Sequence, residues 1–175
     1  GDIDLSDLRL FAASWLWREA AITVTVTDST LYQEIDGFGA SLTDSSAWAL
    51  HEFLNTTEYN AAMKDLFNPV TGAGINYLRQ PMGTSAMRRR PDYSYNDTAG
   101  DYDMSEFTIA KDMDYIVPAI QDALAINPNI KIMGSPWTAP SWMKSGEYVP
   151  YQMGYLTNNA TNYDAYALYF VKYVQ

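Results

Sequence analysis

Four side chains of this sequence stand at or just after the ends of short apolar runs, and their chemical types are those that bind sugars. They are Asp44, Arg79 and Trp137, together with the amide of Gln80 next to Arg79. An aromatic face stacks on the C–H surface of a sugar ring, while carboxylate and guanidinium groups form hydrogen bonds with its hydroxyls. The four residues therefore indicate carbohydrate chemistry, provided that the fold brings the ends of the runs together.

The composition excludes several other kinds of site. The 175 residues include no cysteine and one histidine, His51, which excludes disulfides, thiolate metal sites, cysteine nucleophiles and multi-histidine metal sites. With 21 acidic against 11 basic side chains, the formal net charge of −10 argues against nucleic acid and anionic membranes as partners. No uninterrupted apolar stretch reaches the roughly 20 residues that a membrane span needs. Carboxylates, aromatic rings and amides must therefore carry the chemistry.

Strand-like and helix-like segments alternate along the chain, which is typical of a parallel α/β sheet. Such a sheet is either open and doubly wound or the first part of an eight-stranded barrel. Gly37-Phe38-Gly39 lacks the third glycine of a phosphate-binding turn, which disfavours a nucleotide-binding sheet. In a barrel, the C-terminal ends of the strands face the active site. The predicted strands are 36–40, 75–82 and 130–134. One predicted helix spans 57–67, and a second has an apolar stripe from Met113 to Leu124 and a bend at Pro118. The last predicted helix has one apolar side, formed by Tyr163, Tyr166, Ala167, Phe170, Val171 and Val174.

Several ordered motifs resemble one known family. Residues 33–50, Leu78–Gly83, Tyr93–Asp97 and Gly134–Lys144 are similar to segments of glycoside hydrolase family 30, which contains glucosylceramidases and microbial endo-β-1,6-glucanases. The resemblance continues into the last helix and covers about 140 residues. It implies an α/β fold, namely the first three βα units of a (β/α)8 TIM barrel, with an N-terminal strand segment that belongs to an accessory β-domain.

The resemblance also implies the reaction. The family hydrolyses glycosides with retention, which needs two carboxylates about 5 Å apart, one as nucleophile and one as acid/base. In the family the acid/base is the Glu of an Asn-Glu-Pro motif after the fourth strand, and the nucleophile is a Glu after the seventh. Neither Asn-Glu nor Glu-Pro occurs in this sequence. Both catalytic glutamates are therefore expected beyond Gln175, and residues 1–175 alone are expected to be inactive.

For the residues that are present, the resemblance implies supporting roles. Asp44 and Trp137 would bind hydroxyls of the sugar next to the scissile bond, and Arg79 would orient and electrostatically hold the nucleophile. Each residue also has a structural alternative. Asp44 could be the N-cap of a helix, Trp137 a core residue and Arg79 one side of an ion pair at a strand end.

One segment departs from the family pattern. After the second strand the family has a Ser-Asp-Phe-Ser-like stretch, whereas this chain reads Ser85-Ala86-Met87-Arg88-Arg89-Arg90. The expected Asp is replaced by Ala86 or shifted by an insertion, which affects the loop contacts to a distal sugar. The Arg88–Arg90 run is expected to be a solvated loop, because three charges in an acidic chain are too few to bind nucleic acid.

The first residues resemble a different motif. Residues 1–7 are similar to the back half of an EF-hand-type calcium loop with Asp4 and Asp7 as ligands, and Leu8–Trp17 resembles the helix of a dockerin repeat. A complete loop in the parent protein would bind calcium and a cohesin-like scaffold, whereas catalysis needs no cofactor. The alternative is an acid-capped amphipathic helix. The predicted domains are a dockerin-like segment (1–20), strands of the accessory β-domain (21–35) and the truncated catalytic barrel (36–175).

The sequence therefore predicts part of a secreted, retaining β-glycoside hydrolase that acts on β-glucosides such as glucosylceramide or β-1,6-glucan. Two alternatives stay open. The first is a noncatalytic glycan-binding or calcium-dependent scaffold-tethering module, which would fold alone and bind a glycan without turnover. The second is a family 30 xylanase. Three barrel units would leave one sheet edge unpaired, which favours the enzyme fragment over the complete module.

Overall fold

The computed structural model describes residues 24–27, 29–87, 89, 91–146 and 154–175. The chain divides into two compact units, Gly1–Glu34 and Ile35–Gln175. Asp4 and Asp7, the predicted calcium ligands, lie outside the described residues, as does the dockerin-like helix. The domain assignment of 1–20 therefore stays a prediction.

The second unit contains a parallel three-stranded sheet in the order β1-β2-β3. Two helices follow the first strand, one helix precedes the third, and one helix ends the chain. This arrangement confirms the predicted α/β fold. The elements are β1 (Gly39–Ser41), α1 (Asp44–Phe53), α2 (Thr56–Phe67), β2 (Tyr77–Met82), α3 (Ile116–Ile126), β3 (Lys131–Pro136), a 3-10 helix (Ser141–Met143), a short antiparallel pair of β4 (Lys144–Ser145) with β5 (Tyr155–Leu156), and α4 (Ala160–Val174).

Reciprocal caps decide where the first two helices begin. The hydroxyl of Thr43 accepts a hydrogen bond from the backbone N–H of Ser46, and the hydroxyl of Ser46 accepts one from the backbone N–H of Thr43. Asn55 and Glu58 form the same arrangement at the start of α2. Such pairs satisfy backbone donors that have no partner within the helix. The chain can therefore turn from β1 into α1 within two residues, which leaves Asp44 in the first helical turn.

Two apolar clusters hold the helices against the sheet. The first contains Leu78 of β2, Phe67 of α2 and Ala123 of α3. The second contains Met82 at the end of β2 and Tyr169 of α4, together with loop residues from either side of β3. Strand β2 contributes to both clusters, so its position, and with it the position of Arg79, is set from both ends.

Helix α3 begins later than its apolar stripe predicts. Its first residue is Ile116, so Met113 precedes the helix and is exposed. Pro118 consequently lies in the first turn, where backbone N–H groups have no intrahelical acceptor to lose. The expectation of a bend at Pro118 within a longer helix was wrong for this reason.

The apolar residues that recur at helical spacing along α4 form a side of the helix that is largely exposed. Phe170, Val171 and Val174 face solvent, whereas Asn162 and Tyr169 are buried. Contacts outside the helix decide this orientation. The hydroxyl of Tyr169 accepts the backbone N–H of Tyr95 at 3.1 Å, and the two rings stack with their centres 6.0 Å apart.

The segment before the sheet does not form the predicted strands where it is described. Residues 24–27 and 31–35 have no strand assignment, because no described segment pairs with their backbone and a strand needs such a ladder. The expectation of strands over these residues was wrong for the described part of the chain. Their assignment to an accessory β-domain stays a prediction.

Candidate functional site

The predicted site residues lie at the carboxyl end of the parallel sheet. Side chains of residues paired across a parallel ladder project to the same side of the sheet, and alternate residues along a strand do so too. Arg79 pairs with Ser41 of β1, and Pro81, two residues on, pairs with Ser135 of β3. Arg79, Ser41 and Ser135 therefore share one face, at the edge where β3 leads into Trp137.

Arg79 connects all three strands at this edge. Its Nη2 donates a hydrogen bond to Oγ of Ser135 at 3.1 Å. Its backbone carbonyl accepts the backbone N–H of Leu42 and the hydroxyl of Ser41, each at 3.1 Å. Its guanidinium carbon lies 5.5 Å from the ring centre of Trp137. Within the described part of the chain, the side-chain partners of Arg79 are thus a hydroxyl and a ring rather than the carboxylate of an ion pair.

Trp137 is a surface residue rather than a core residue. It is 43% exposed, although tryptophan is on average one of the more buried residue types. It follows β3 directly, and the cation of Arg79 lies against its ring. The structure therefore brings Arg79 and Trp137 together and leaves a large part of the indole accessible to a ligand.

Asp44 is not the cap of its helix. Thr43 occupies the N-cap position, and Asp44 is the first residue of α1. Its Oδ2 accepts the backbone N–H of Arg89 at 2.7 Å. The carboxylate is therefore directed to the loop that follows β2 and does not cap its own helix.

A cavity of about 250 Å³ lies beside Asp44. Carboxylates, cations and aromatic rings converge on it, a mixture that suits a ligand with many hydroxyls. Two cation–ring contacts hold side chains of its wall in place. The guanidinium carbon of Arg89 lies 5.4 Å from the ring centre of Tyr115, and Nζ of Lys111 lies 4.9 Å from the ring centre of Tyr93. The lining residues are Asp44, Arg89, Pro91, Tyr93, Lys111, Asp114 and Tyr115.

A buried carboxylate supports one wall of this cavity. The Tyr93 hydroxyl donates to Oδ1 of Asp112 at 2.6 Å, and the Tyr95 hydroxyl donates to Oδ2 of the same residue. Burial is the largest cause that raises the pKa of Asp112, while the two hydroxyl donors counteract the rise and the charge of Asp44 adds to it. Burial also raises the pKa of both tyrosines. The network fixes the ring of Tyr93, which faces the cavity.

Sequence reasoning did not find Arg89, Tyr93 and Asp112 as members of the site. Arg89 is exposed, as expected of a solvated loop, but its guanidinium lies on aromatic rings and its backbone binds Asp44. The spacing of Tyr93 and Tyr95 was the available signal, because alternate residues of an extended segment project to one side. Their common partner lies 17 to 19 residues further on, which no spacing rule indicates.

The described residues contain neither a metal-binding cluster nor a membrane-spanning helix. No group of at least three histidine, aspartate or glutamate side chains there could hold a metal ion. No helix in the same part of the chain is both long enough and apolar enough to cross a membrane.

Parallel βα units with polar and aromatic side chains at the carboxyl edge of the sheet are the arrangement of a barrel-type α/β protein, in which this edge carries the active site. Residues 35–175 match the glycosyl hydrolase family 30 TIM-barrel domain. The chain therefore belongs to glycosyl hydrolase family 30, and the predicted family is confirmed.

Individual relatives agree with this assignment. The chain is 34% identical to the endo-1,6-β-D-glucanase BGN16.3 of Trichoderma harzianum, over 88% of this chain and 33% of that protein. It is 36% identical to the putative glucosylceramidase 1 of Caenorhabditis elegans, over 87% of this chain and 29% of that protein. Among solved structures, the endo-β1,6-glucanase BT3312 superposes with a TM-score of 0.72 at 34% identity, over 89% of this chain and 34% of that one. The chain thus spans about a third of the length of the proteins that it matches.

Proposed function

We propose that the protein containing this chain is a retaining β-glycoside hydrolase that cleaves β-linked glucosides, with β-1,6-glucan as the first candidate substrate and glucosylceramide as the second. The observation that carries the proposal is the position of Asp44, Arg79 and Trp137 at the carboxyl edge of a family 30 sheet. Relatives named as endo-1,6-β-glucanases and as glucosylceramidases support the choice of substrates.

Asp44 and Trp137 would hold the sugar next to the scissile bond. A carboxylate accepts hydrogen bonds from sugar hydroxyls, and such charge-assisted bonds are shorter and stronger than neutral ones. The accessible face of Trp137 provides apolar contact with the ring, and its indole N–H is a donor. Asp44 follows β1 and Trp137 follows β3 at the same edge of the sheet, one on each side of the strand that carries Arg79, which supports their facing one cleft.

Arg79 would hold the nucleophile in its ionised form. Its described side-chain partners, the Ser135 hydroxyl and the Trp137 ring, are neutral. A glutamate placed beside this guanidinium would therefore meet a positive charge, which lowers the pKa of a carboxyl group and favours the carboxylate that attacks the sugar. This is the role that the resemblance implies for a residue in this position.

The two catalytic carboxylates are proposed to lie beyond Gln175, since residues 1–175 contain neither Asn-Glu nor Glu-Pro. Retaining hydrolysis requires a pair of carboxyl groups about 5 Å apart. Residues 1–175 would supply part of the sugar-binding cleft and be inactive alone. The proposal fails if the longer protein continues without a tryptophan-containing strand that leads into an Asn-Glu-Pro motif.

Secretion is part of the proposal, because a polymeric glucan does not enter cells and must be hydrolysed outside them. In a complete protein, the segment with Asp4 and Asp7 would belong to a calcium-binding loop and tether the enzyme to a cohesin-like scaffold.

The test is the activity of the full-length protein on β-1,6-glucan, glucosylceramide and xylan, for the wild type and for Asp44→Asn. We expect the wild type to prefer a β-glucoside and Asp44→Asn to lose roughly 10- to 100-fold in kcat/KM, the effect of weakening a charge-assisted hydrogen bond. Asp65→Asn removes the same charge from the exposed side of α2 and should keep the wild-type rate.

Each alternative has its own outcome in this experiment. Preference for xylan would identify a family 30 xylanase. Glycan binding without turnover by the full-length protein would support the noncatalytic module. A wild-type rate for Asp44→Asn would remove Asp44 from the sugar site.

A further inference from the structure

Arg89 contacts Asp44 and two aromatic rings at the same time. Its backbone N–H donates to Oδ2 of Asp44 at 2.7 Å. Its guanidinium carbon lies 5.2 Å from the ring centre of Trp48 and 5.4 Å from that of Tyr115. Both contacts are within the distance of about 6 Å at which a cation is attracted to a ring face.

The two rings belong to elements that are fixed independently of Arg89. Trp48 is four residues after Asp44 on α1, so both residues lie on one side of that helix. Tyr115 directly precedes α3, and its hydroxyl donates to Oε1 of Glu52 on α1 at 3.0 Å. The guanidinium therefore lies against a frame formed by the start of α3 and by the helix that carries Asp44.

We propose that Arg89 is a positioning residue for the sugar site: its side chain anchors the loop on Trp48 and Tyr115, so that its backbone N–H holds the Asp44 carboxylate in the orientation that receives a sugar hydroxyl. This inference rests on the proposed function, because it takes Asp44 as a sugar ligand. Arg89 itself need not contact the sugar.

The geometry explains why a side chain is needed to control a backbone contact. Arg89 is exposed and lies in an irregular loop, where backbone groups are mobile unless a side chain is held. Because Oδ1 of Asp44 is buried, the sugar hydroxyl is taken to reach Oδ2, which has a second lone pair beside the one that the Arg89 N–H uses. Without the anchor, the Asp44 side chain would lose this restraint and present its carboxylate to a sugar hydroxyl less often.

The test is a double-mutant cycle in the full-length protein, with KM and kcat measured on β-1,6-gluco-oligosaccharides. Arg89→Ala is expected to lower kcat/KM about tenfold, the loss of two exposed cation–ring contacts. Arg89→Lys should recover most of the loss, since an ammonium group also binds a ring face. Lys64→Ala, which removes a charge from the exposed surface of α2, should match the wild type.

The second arm of the cycle separates positioning from a general structural role. In the Asp44→Ala background the side-chain acceptor that Arg89 positions is absent, so Arg89→Ala should there change kcat/KM less than twofold. An equal tenfold loss in both backgrounds would overturn the inference, as would a wild-type kcat/KM for Arg89→Ala. If Arg89→Ala does not fold, Arg89→Gln, which keeps the aliphatic stem and removes the cation, takes its place.

Different results would refute the proposed function and the positioning role of Arg89. A wild-type protein that hydrolyses no β-glucoside would refute that function, and the positioning role would fall with it. A wild-type enzyme that is active while the cycle is additive would refute the role of Arg89 alone.

Discussion

Gly39 is the position in β1 where one added methyl group has the largest predicted effect. A Cβ at this residue would lie 1.4 Å from the carbonyl oxygen of Tyr77 and 2.5 Å from its carbonyl carbon. Both atoms belong to the backbone of β2, which is paired with β3 on its other side. Strand β2 therefore cannot move away, and Gly39→Ala must displace β1 instead.

The contacts that would be lost set the size of the effect. The backbone N–H of Tyr77 donates to the carbonyl of Phe38 at 3.2 Å, and the carbonyl of Arg79 accepts from Leu42 and from the Ser41 hydroxyl, both at 3.1 Å. Each such bond contributes about 0.5–1.5 kcal/mol net. Their loss together lowers the free energy of unfolding by about 3 kcal/mol, which is large for a single substitution.

The assay is urea unfolding of the full-length protein, with Gly100→Ala as the control. A Cβ at Gly100 meets no atom within 4 Å, although its φ of +83° gives any side chain some strain, which costs about 1 kcal/mol. We expect Gly39→Ala to unfold at a clearly lower urea concentration than Gly100→Ala and to lose activity, because β1 leads directly to Asp44. Equal midpoints for the two variants would refute the argument from close approach.

Two further substitutions test the buried network and a helix cap. Burial raises the pKa of Asp112, so its contribution to stability is greatest below the unfolded pKa and is lost as the pH rises through the higher folded pKa. Asp112→Asn should therefore flatten the change of Tm between pH 4 and 7, and an unchanged slope would contradict this. Asn55→Ala removes the acceptor for two backbone N–H groups at 3.0 Å and should lower the free energy of unfolding by about 1 kcal/mol; a wild-type urea midpoint would show that the cap adds nothing.

Local rules predicted the parts of the fold that depend on neighbouring residues. The strands that contain Arg79 and precede Trp137 were found from their apolar runs, and the helix predicted at 57–67 was found to within one residue as Thr56–Phe67. The alternative that Asp44 is the N-cap of α1 was wrong. Thr43 caps the helix because its hydroxyl and that of Ser46 satisfy each other's backbone N–H, which leaves the Asp44 carboxylate for another partner.

Contacts between distant residues explain what the sequence did not predict. The bond from Arg89 to Asp44 joins positions 45 residues apart, and the partner of Tyr93 is a buried carboxylate. The exposed side of α4 has the same cause, since its orientation follows from the hydrogen bond and stacking between Tyr169 and Tyr95 rather than from the apolar pattern of the helix. Periodicity identifies that a helix exists but does not decide which contacts outweigh its apolar stripe.

The most direct test of the account is the configuration of the first product released from a β-1,6-glucan by the full-length protein, followed by proton NMR before mutarotation. Retaining hydrolysis by a carboxylate pair about 5 Å apart predicts that the β-anomer appears first. Initial release of the α-anomer would contradict the retaining mechanism, and with it the proposal that Arg79 holds a nucleophilic glutamate.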